Sequence, residues 1–116
     1  MPAATYNFQV EQGTTLIKPI VWKDSLGTPV NLTGYSARMQ VRPSISSDEV
    51  LLELSTTNGK IVIVPLLGKL TITMNPADTS ALTSRRARYD LEITAGDGSV
   101  TRLIEGEITV SREVTR

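Results

Sequence analysis

The sequence predicts an all-β chain, an antiparallel β-sandwich with one short helical turn near residues 76–82. Three observations lead there. Apolar and polar residues alternate with period two in run after run, and on a strand that pattern makes one dry face and one wet face. Clusters of Gly, Pro, Asn and Asp fall between the runs at intervals of roughly 8–12 residues, the spacing of sandwiches and barrels. The length of 116 residues fits one domain. A chain of that size buries roughly 65% of the surface exposed by its unfolded form, enough for one core. The expectation is a single β-sandwich domain over 1–116, with 1–4 and 113–116 mobile.

Taken in order, Tyr6, Phe8 and Val10 alternate with Asn7, Gln9 and Glu11 and predict a first strand. Leu16 to Lys23 is apolar on both faces and holds Pro19. Proline cannot donate to a ladder, so this run is expected at a sheet edge or a bulge. DSLGTP (24 to 29) and NLTG (31 to 34) are turn chemistry. Tyr35, Ala37, Met39 and Val41 then alternate with Ser36, Arg38, Gln40 and Arg42. Asn58-Gly59 predicts a hairpin turn, because both residues accept positive φ. Ile61 to Val64 predicts a short strand, buried on both sides or capped by a partner chain. After LLGK (66 to 69), Leu70, Ile72 and Met74 alternate with Lys69, Thr71 and Thr73.

Within NPADTSAL (75 to 82), Asn75 can cap, Pro76 suits the first helical position and Asp78 falls at N3, near the positive end of the helix dipole. Tyr89, Leu91 and Ile93 alternate with Arg88, Asp90, Glu92 and Thr94. The Asp97-Gly98 turn leads into a last strand with Ile104, Ile108 and Val110 on the same inner face as Leu91 and Ile93. A helical turn before a strand that opens with tyrosine is the arrangement of the tyrosine corner in immunoglobulin-like sandwiches. The plainer alternative for Tyr89 is a residue at the margin of the core.

Composition bears on chemistry. The sequence has no Cys and no His, which removes disulfides, thiolate nucleophiles, the commonest metal ligand and the commonest general base. Lys plus Arg is 12 and Asp plus Glu is 12, so the basic surplus of a nucleic-acid binder is missing. The N-terminal MPAATYNFQV has no basic then apolar leader pattern, and the longest apolar runs are far too short to span a bilayer. Neither nucleic acid, membrane nor small-molecule substrate is expected, nor a cofactor, metal or catalytic role.

Two charged groups remain as a candidate interaction surface. Asp90 and Glu92, and Glu105 and Glu107, are each spaced i, i+2, so each pair shares one face of its strand. Paired carboxylates can bind a divalent cation or hydrolyse a glycosidic bond. Arg88 and Arg102 lie on the same hairpin and can neutralise them across the strands, making a salt-bridged outer face or a polar subunit contact. Arg85, Arg86 and Arg88 form a basic cluster, expected in a loop, that can grip phosphate, an acidic partner or a neighbouring subunit. Trp22, the only tryptophan, is a core plug or a ligand platform. Gly96, Gly98 and Gly106 are expected at turns and bulges.

Three segments together carry a resemblance. Trp22-Lys23-Asp24, Pro29 through Arg42, and Tyr89-Asp90-Leu91-Glu92 with Thr101 through Val110 resemble small virion proteins of tailed bacteriophages. The likeness is to the N-terminal module of baseplate upper and tail-fibre-anchoring proteins, over residues 5 to 114. It implies an immunoglobulin-like sandwich that serves as an assembly or adaptor module in the tail, baseplate or fibre attachment. The chain would be made in a bacterial cytoplasm and built into the virion, with other virion proteins and its own copies as partners. Baseplate upper proteins continue into a stalk, whereas this sequence stops at Arg116. A head–tail junction adaptor or a capsid decoration is therefore the alternative expectation. A carbohydrate- or cation-binding β-module on the acid face is a third.

Overall fold

The computed structural model describes residues 4–83 and 85–112. Strand makes up 52% and helix 7%, so the chain is all-β, with a sandwich-like arrangement of two sheets. The strands are β1 (Ala4–Thr5), β2 (Phe8–Glu11), β3 (Leu16–Val21), β4 (Ser36–Arg42), β5 (Leu52–Ser55), β6 (Ile61–Val64), β7 (Lys69–Met74), β8 (Arg86–Thr94) and β9 (Val100–Ser111). Helix α1 (Pro76–Ser80) precedes β8. One sheet has six strands in the order β1-β9-β8-β4-β5, with β2 also on β9; the other has three, in the order β3-β7-β6. The mobility expected for residues 1–3 and 113–116 lies outside the described residues. Ala4 is paired with Ile104.

The alternation seen in the sequence sorts side chains as expected. Ala37, Met39 and Val41 of β4, Leu70, Ile72 and Met74 of β7, and Tyr89, Leu91 and Ile93 of β8 are buried in one core. From β9 come Ile104, Ile108 and Val110. Each fully buried Leu, Ile or Met contributes about 1.5–3 kcal/mol relative to exposure, so these strands carry most of the apolar driving force. The predicted edge position of the Pro19 strand holds: β3 flanks its sheet, and Pro19 is exposed. The helical turn is a capping box. Asn75 Oδ1 accepts from Asp78 N–H at 2.9 Å, and Asp78 Oδ2 accepts from Asn75 N–H at 3.0 Å. It ends at Ser80, two residues earlier than expected. Lys60 pairs with the buried Asp78 carboxylate and ties the helix to the loop before β6.

Four expectations are corrected. First, the sandwich is not wholly antiparallel, since β1 and β2 both run parallel to β9. Second, Asn58-Gly59 does not close a hairpin. It carries the chain from β5 in one sheet to β6 in the other. Gly59 takes φ 79°, and Asn58 Oδ1 accepts from Ser55 N–H and Lys60 N–H at 3.0 and 3.1 Å. Third, Ile61–Val64 is not buried on both sides within this chain. Ile61 is inside, while Val62 and Val64 are 54% and 37% exposed. Fourth, Gly106 is neither a turn nor a bulge glycine. The hairpin's register shift lies between Leu91 and Glu92 and leaves Leu103 without an opposite residue.

Gly106 serves a different purpose. A Cβ there would stand 2.2 Å from Tyr6 O and 2.8 Å from Asn7 Oδ1. Its bare backbone lets the N-terminal segment press onto β9 where β1 ends and β2 has yet to begin. Asn7 Oδ1 accepts from Glu107 N–H at 2.8 Å, so a side chain stands in for the missing ladder carbonyl. Tyr89, opposite Gly106, donates its hydroxyl to Tyr6 O. Phe8 packs edge-on against Tyr89, with ring centroids 5.1 Å apart. Lys18 Nζ donates to Tyr6 Oη at 2.6 Å and lies 5.3 Å from the Phe8 ring centroid.

Candidate functional site

The outward face of the six-stranded sheet gathers the charged residues singled out in the sequence. Strand β8 turns Arg86, Arg88, Asp90 and Glu92 outward, because Ala87, Tyr89, Leu91 and Ile93 take the core side. Pairing with β4 and β9 lays these residues into rows. Glu92 stands between Arg38 and Arg102, Asp90 between Gln40 and Glu105, and Arg88 between Arg42 and Glu107. Arg86 lies opposite Thr109. Arg38, Arg42, Arg86, Arg88 and Arg102 thus share the face with Glu11, Glu53, Asp90, Glu92, Glu105 and Glu107, five cations against six carboxylates.

Arg102 does the neutralising expected of the hairpin arginines. Its Nε is 3.4 Å from Asp90 Oδ2, and its Nη1 is 3.6 Å from Glu105 Oε2. Arg88 does not act in the same way. It faces Glu107 across the strands, but its Nε is buried without a hydrogen-bond partner. The Arg85–Arg88 cluster is not a loop. Arg86 and Arg88 belong to β8, and Arg85 sits at the bend before it, its carbonyl accepting from Val110 N–H at 2.8 Å.

The sequence reading missed the β4 and β5 side of this face. Arg38 Nε donates to Glu53 Oε1 at 2.5 Å. With Gln40 as a second donor at 3.3 Å, this bond holds the Glu53 carboxyl below its ordinary pKa. Arg42 donates to Ser47 O at 2.9 Å and to Gln40 Oε1 at 2.8 Å. The signal was present, since Arg38, Gln40 and Arg42 are the polar phase of the Tyr35–Arg42 alternation.

A shallow groove of about 390 Å³ crosses this face between Arg42, Arg88, Arg102 and the acids Asp90, Glu92 and Glu105. Cations and carboxylates are interleaved there, so no single charge sign is focused on a ligand. Among the described residues, no three Asp or Glu side chains are grouped to hold a metal ion. Surface pairs at this exposure are worth about 0–1 kcal/mol each, so the face is close to neutral for stability.

The outward side of the three-stranded sheet has a different character. Lys18, Ile20 and Leu16 of β3 pair with Ile72, Leu70 and Met74 of β7 and point inward; Ile17, Pro19 and Val21 point out, opposite Thr73, Thr71 and Lys69. Val62 and Val64 extend that outer surface on the far side of β7. Ile17 is 65% exposed, and Leu66, in the turn between β6 and β7, is 75% exposed. Trp22, just past β3, is half-buried against the core and lines an apolar cavity of about 410 Å³ with Ile20, Leu103 and Ile104. No helix of the described residues is long and apolar enough to cross a membrane. No family model matches the chain, and no curated protein sequence matches it.

Proposed function

We propose that this chain is a non-catalytic assembly module of a tailed-bacteriophage virion, an immunoglobulin-like sandwich that anchors other tail, baseplate or fibre components. The strand order supports the fold part of this reading. In immunoglobulin-type sandwiches, strands B, E and D lie in one sheet, and C, F and G lie in the other with C′ added at the edge. Here β3, β7 and β6 take the B, E and D places, and β4, β5, β8 and β9 take C, C′, F and G. Tyr89 sits near the start of the F-like strand just after α1, as a tyrosine corner does. Its hydroxyl departs from that pattern by bonding Tyr6 O at the far N-terminal end.

The observation that carries the assembly role is the open apolar surface of the three-stranded sheet. Exposed apolar side chains beside polar groups mark interaction sites, and here Ile17 and Val21 of β3 and Val62 and Val64 of β6 flank the Lys69, Thr71 and Thr73 row of β7. The virion setting comes from the resemblance in Trp22-Lys23-Asp24, Pro29–Arg42 and the Tyr89–Val110 hairpin. A cation-binding role on the acid face has less support, because Arg102 already holds Asp90 and Glu105. The test is to raise antibodies to the purified chain and probe density-purified phage particles from the source culture. The chain should be present in the particles at a fixed copy number. Its confinement to the particle-free supernatant would overturn the proposal.

A further inference from the structure

We propose that Asn58-Gly59 is a self-modification site, at which the folded chain converts Asn58 to aspartate and isoaspartate through a succinimide. This goes beyond the assembly reading and does not depend on it.

Such a conversion needs a backbone N–H after the asparagine that is free to lose its proton, a side-chain carbonyl polarised toward attack, and access to water. The sequence has asparagines at 7, 31, 58 and 75, and the structure separates them. Asn75 precedes Pro76, which has no N–H. Asn31 precedes Leu32, whose N–H donates to Pro65 O at 3.0 Å. Asn7 precedes Phe8, a bulky residue set in the β2–β9 ladder. Gly59 N–H, by contrast, has no hydrogen-bond acceptor among the described residues. Gly59 is exposed, and no atom lies within 4 Å of the place a Cβ would take.

The Asn58 carboxamide is held ready for addition. Its Oδ1 accepts from Ser55 N–H at 3.0 Å and from Lys60 N–H at 3.1 Å. Two backbone donors on one carbonyl oxygen form an oxyanion hole, which stabilises the charge that develops when a nucleophile adds. Asn58 Nδ2 donates to Glu53 O at 3.0 Å. Hydrogen bonds at a carbonyl lie near its plane, so these contacts fix the group and leave its faces open. The bond from Lys60 N–H closes an Asx turn, which folds the carboxamide back toward the Asn58–Gly59 peptide.

The chemistry needs only water. Hydroxide takes the Gly59 N–H proton, and the nitrogen adds to Asn58 Cγ. The Cγ–Nδ2 bond breaks, and Nδ2 takes a proton from water and leaves as ammonia. Water then opens the imide ring at one of its two carbonyls, giving aspartate or isoaspartate; nothing is oxidised or reduced. The new carboxylate has no N–H to give Glu53 O, and it adds a negative charge to a chain of net charge zero. Isoaspartate also lengthens the backbone where the chain crosses from β5 to β6. The joint between the two sheets thereby changes with the age of the molecule.

The experiment incubates the folded full chain in mildly alkaline water enriched in heavy oxygen and maps its peptides by mass spectrometry. Asn58 should take up heavy oxygen, and it should convert at least several-fold faster than Asn7, Asn31 or Asn75. Its rate in the folded chain should be no lower than in urea, where the two donors to Oδ1 are lost. Gly59→Ala, which hinders the attacking nitrogen, should slow conversion at least several-fold, and Asn58→Gln should abolish the signal. Conversion several-fold slower in the folded chain than in urea would overturn the proposal, because the bonds around Asn58 would then be protective. Heavy oxygen appearing first at another asparagine of the folded chain would overturn it as well.

Discussion

On the six-stranded sheet, Arg102 reaches both Asp90 and Glu105, and Arg38 reaches Glu53. On the three-stranded sheet, Ile17, Val21, Val62 and Val64 stand open to water. Both surfaces are outward faces of strands with the same period-two pattern. The first has Arg38, Glu53, Arg102, Asp90 and Glu105 paired within the chain, so a partner seated on them would have to desolvate pairs that already satisfy one another. The second gains from any apolar cover, because covering it removes hydrocarbon from water. Charged residues draw attention in a sequence, yet here the uncharged face has more to gain from contact.

The largest effect should separate the two sides of one sheet. Leu70→Ala, on the buried side of β7, should cost about 2–5 kcal/mol. Val62→Ala, on the open side, should stay within about 0.5 kcal/mol. Urea unfolding of both variants checks this, and equal losses would erase the distinction between inner and outer positions. Next in size is Gly106→Ala, which tests whether the six-stranded sheet is closed at its N-terminal edge. The added Cβ meets backbone at Tyr6 and should cost about 2–3 kcal/mol. Hydrogen exchange should quicken first at the Tyr6 and Glu107 amides.

Tyr89→Phe should cost about 1–2 kcal/mol by leaving Tyr6 O without its donor. It should also change the alkaline behaviour. Burial, with Tyr6 nearby, pushes the Tyr89 hydroxyl above its ordinary pKa of 10.0. The folded state therefore keeps this proton where the unfolded chain has lost it. The contribution of Tyr89 is complete below pH about 10 and declines as pH rises beyond it. Thermal melts from pH 8 to 11 should show a steeper loss in the parent than in Tyr89→Phe. The smallest effect belongs to the charged face, where Arg102→Gln should cost less than about 1 kcal/mol. A larger loss, undiminished by salt, would make that face a structural element.

Much of the architecture could be read from side-chain phase. The β4, β7, β8 and β9 core positions follow from alternation, and the α1 cap follows from Asn75, Pro76 and Asp78. Features that depend on where a strand finds its partner could not be read this way. Asn58-Gly59 has hairpin chemistry, but positive φ serves a crossing between sheets equally well. Strand direction leaves no mark on local alternation, so the parallel pairing of Phe8 with Ile108 was invisible. Gly106 left one faint sign, a glycine in the inward phase among Ile104, Ile108 and Val110. For the candidate site, the sequence located the hairpin charges but not the β4 and β5 partners that complete their rows. The apolar face was visible earlier as doubly apolar runs at Leu16–Lys23 and Ile61–Val64.

The parallel seating of β1 and β2 on β9 has a mechanical consequence. A force that draws residue 4 and residue 112 apart runs along the two strands in opposite directions. The hydrogen bonds between them are then loaded together in shear rather than opened one by one. Tyr6 N–H to Glu105 O at 2.9 Å, Asn7 Oδ1 to Glu107 N–H at 2.8 Å and Gln12 N–H to Ser111 O at 2.8 Å lie along that seam. Pulling on these two ends in a single-molecule instrument should require a higher rupture force than peeling β8 from β9 at the Asp97-Gly98 turn. With Gly106→Ala the gap between the two geometries should narrow. A chain joined this way resists tension along its own length, which is the load borne by a link in a longer assembly.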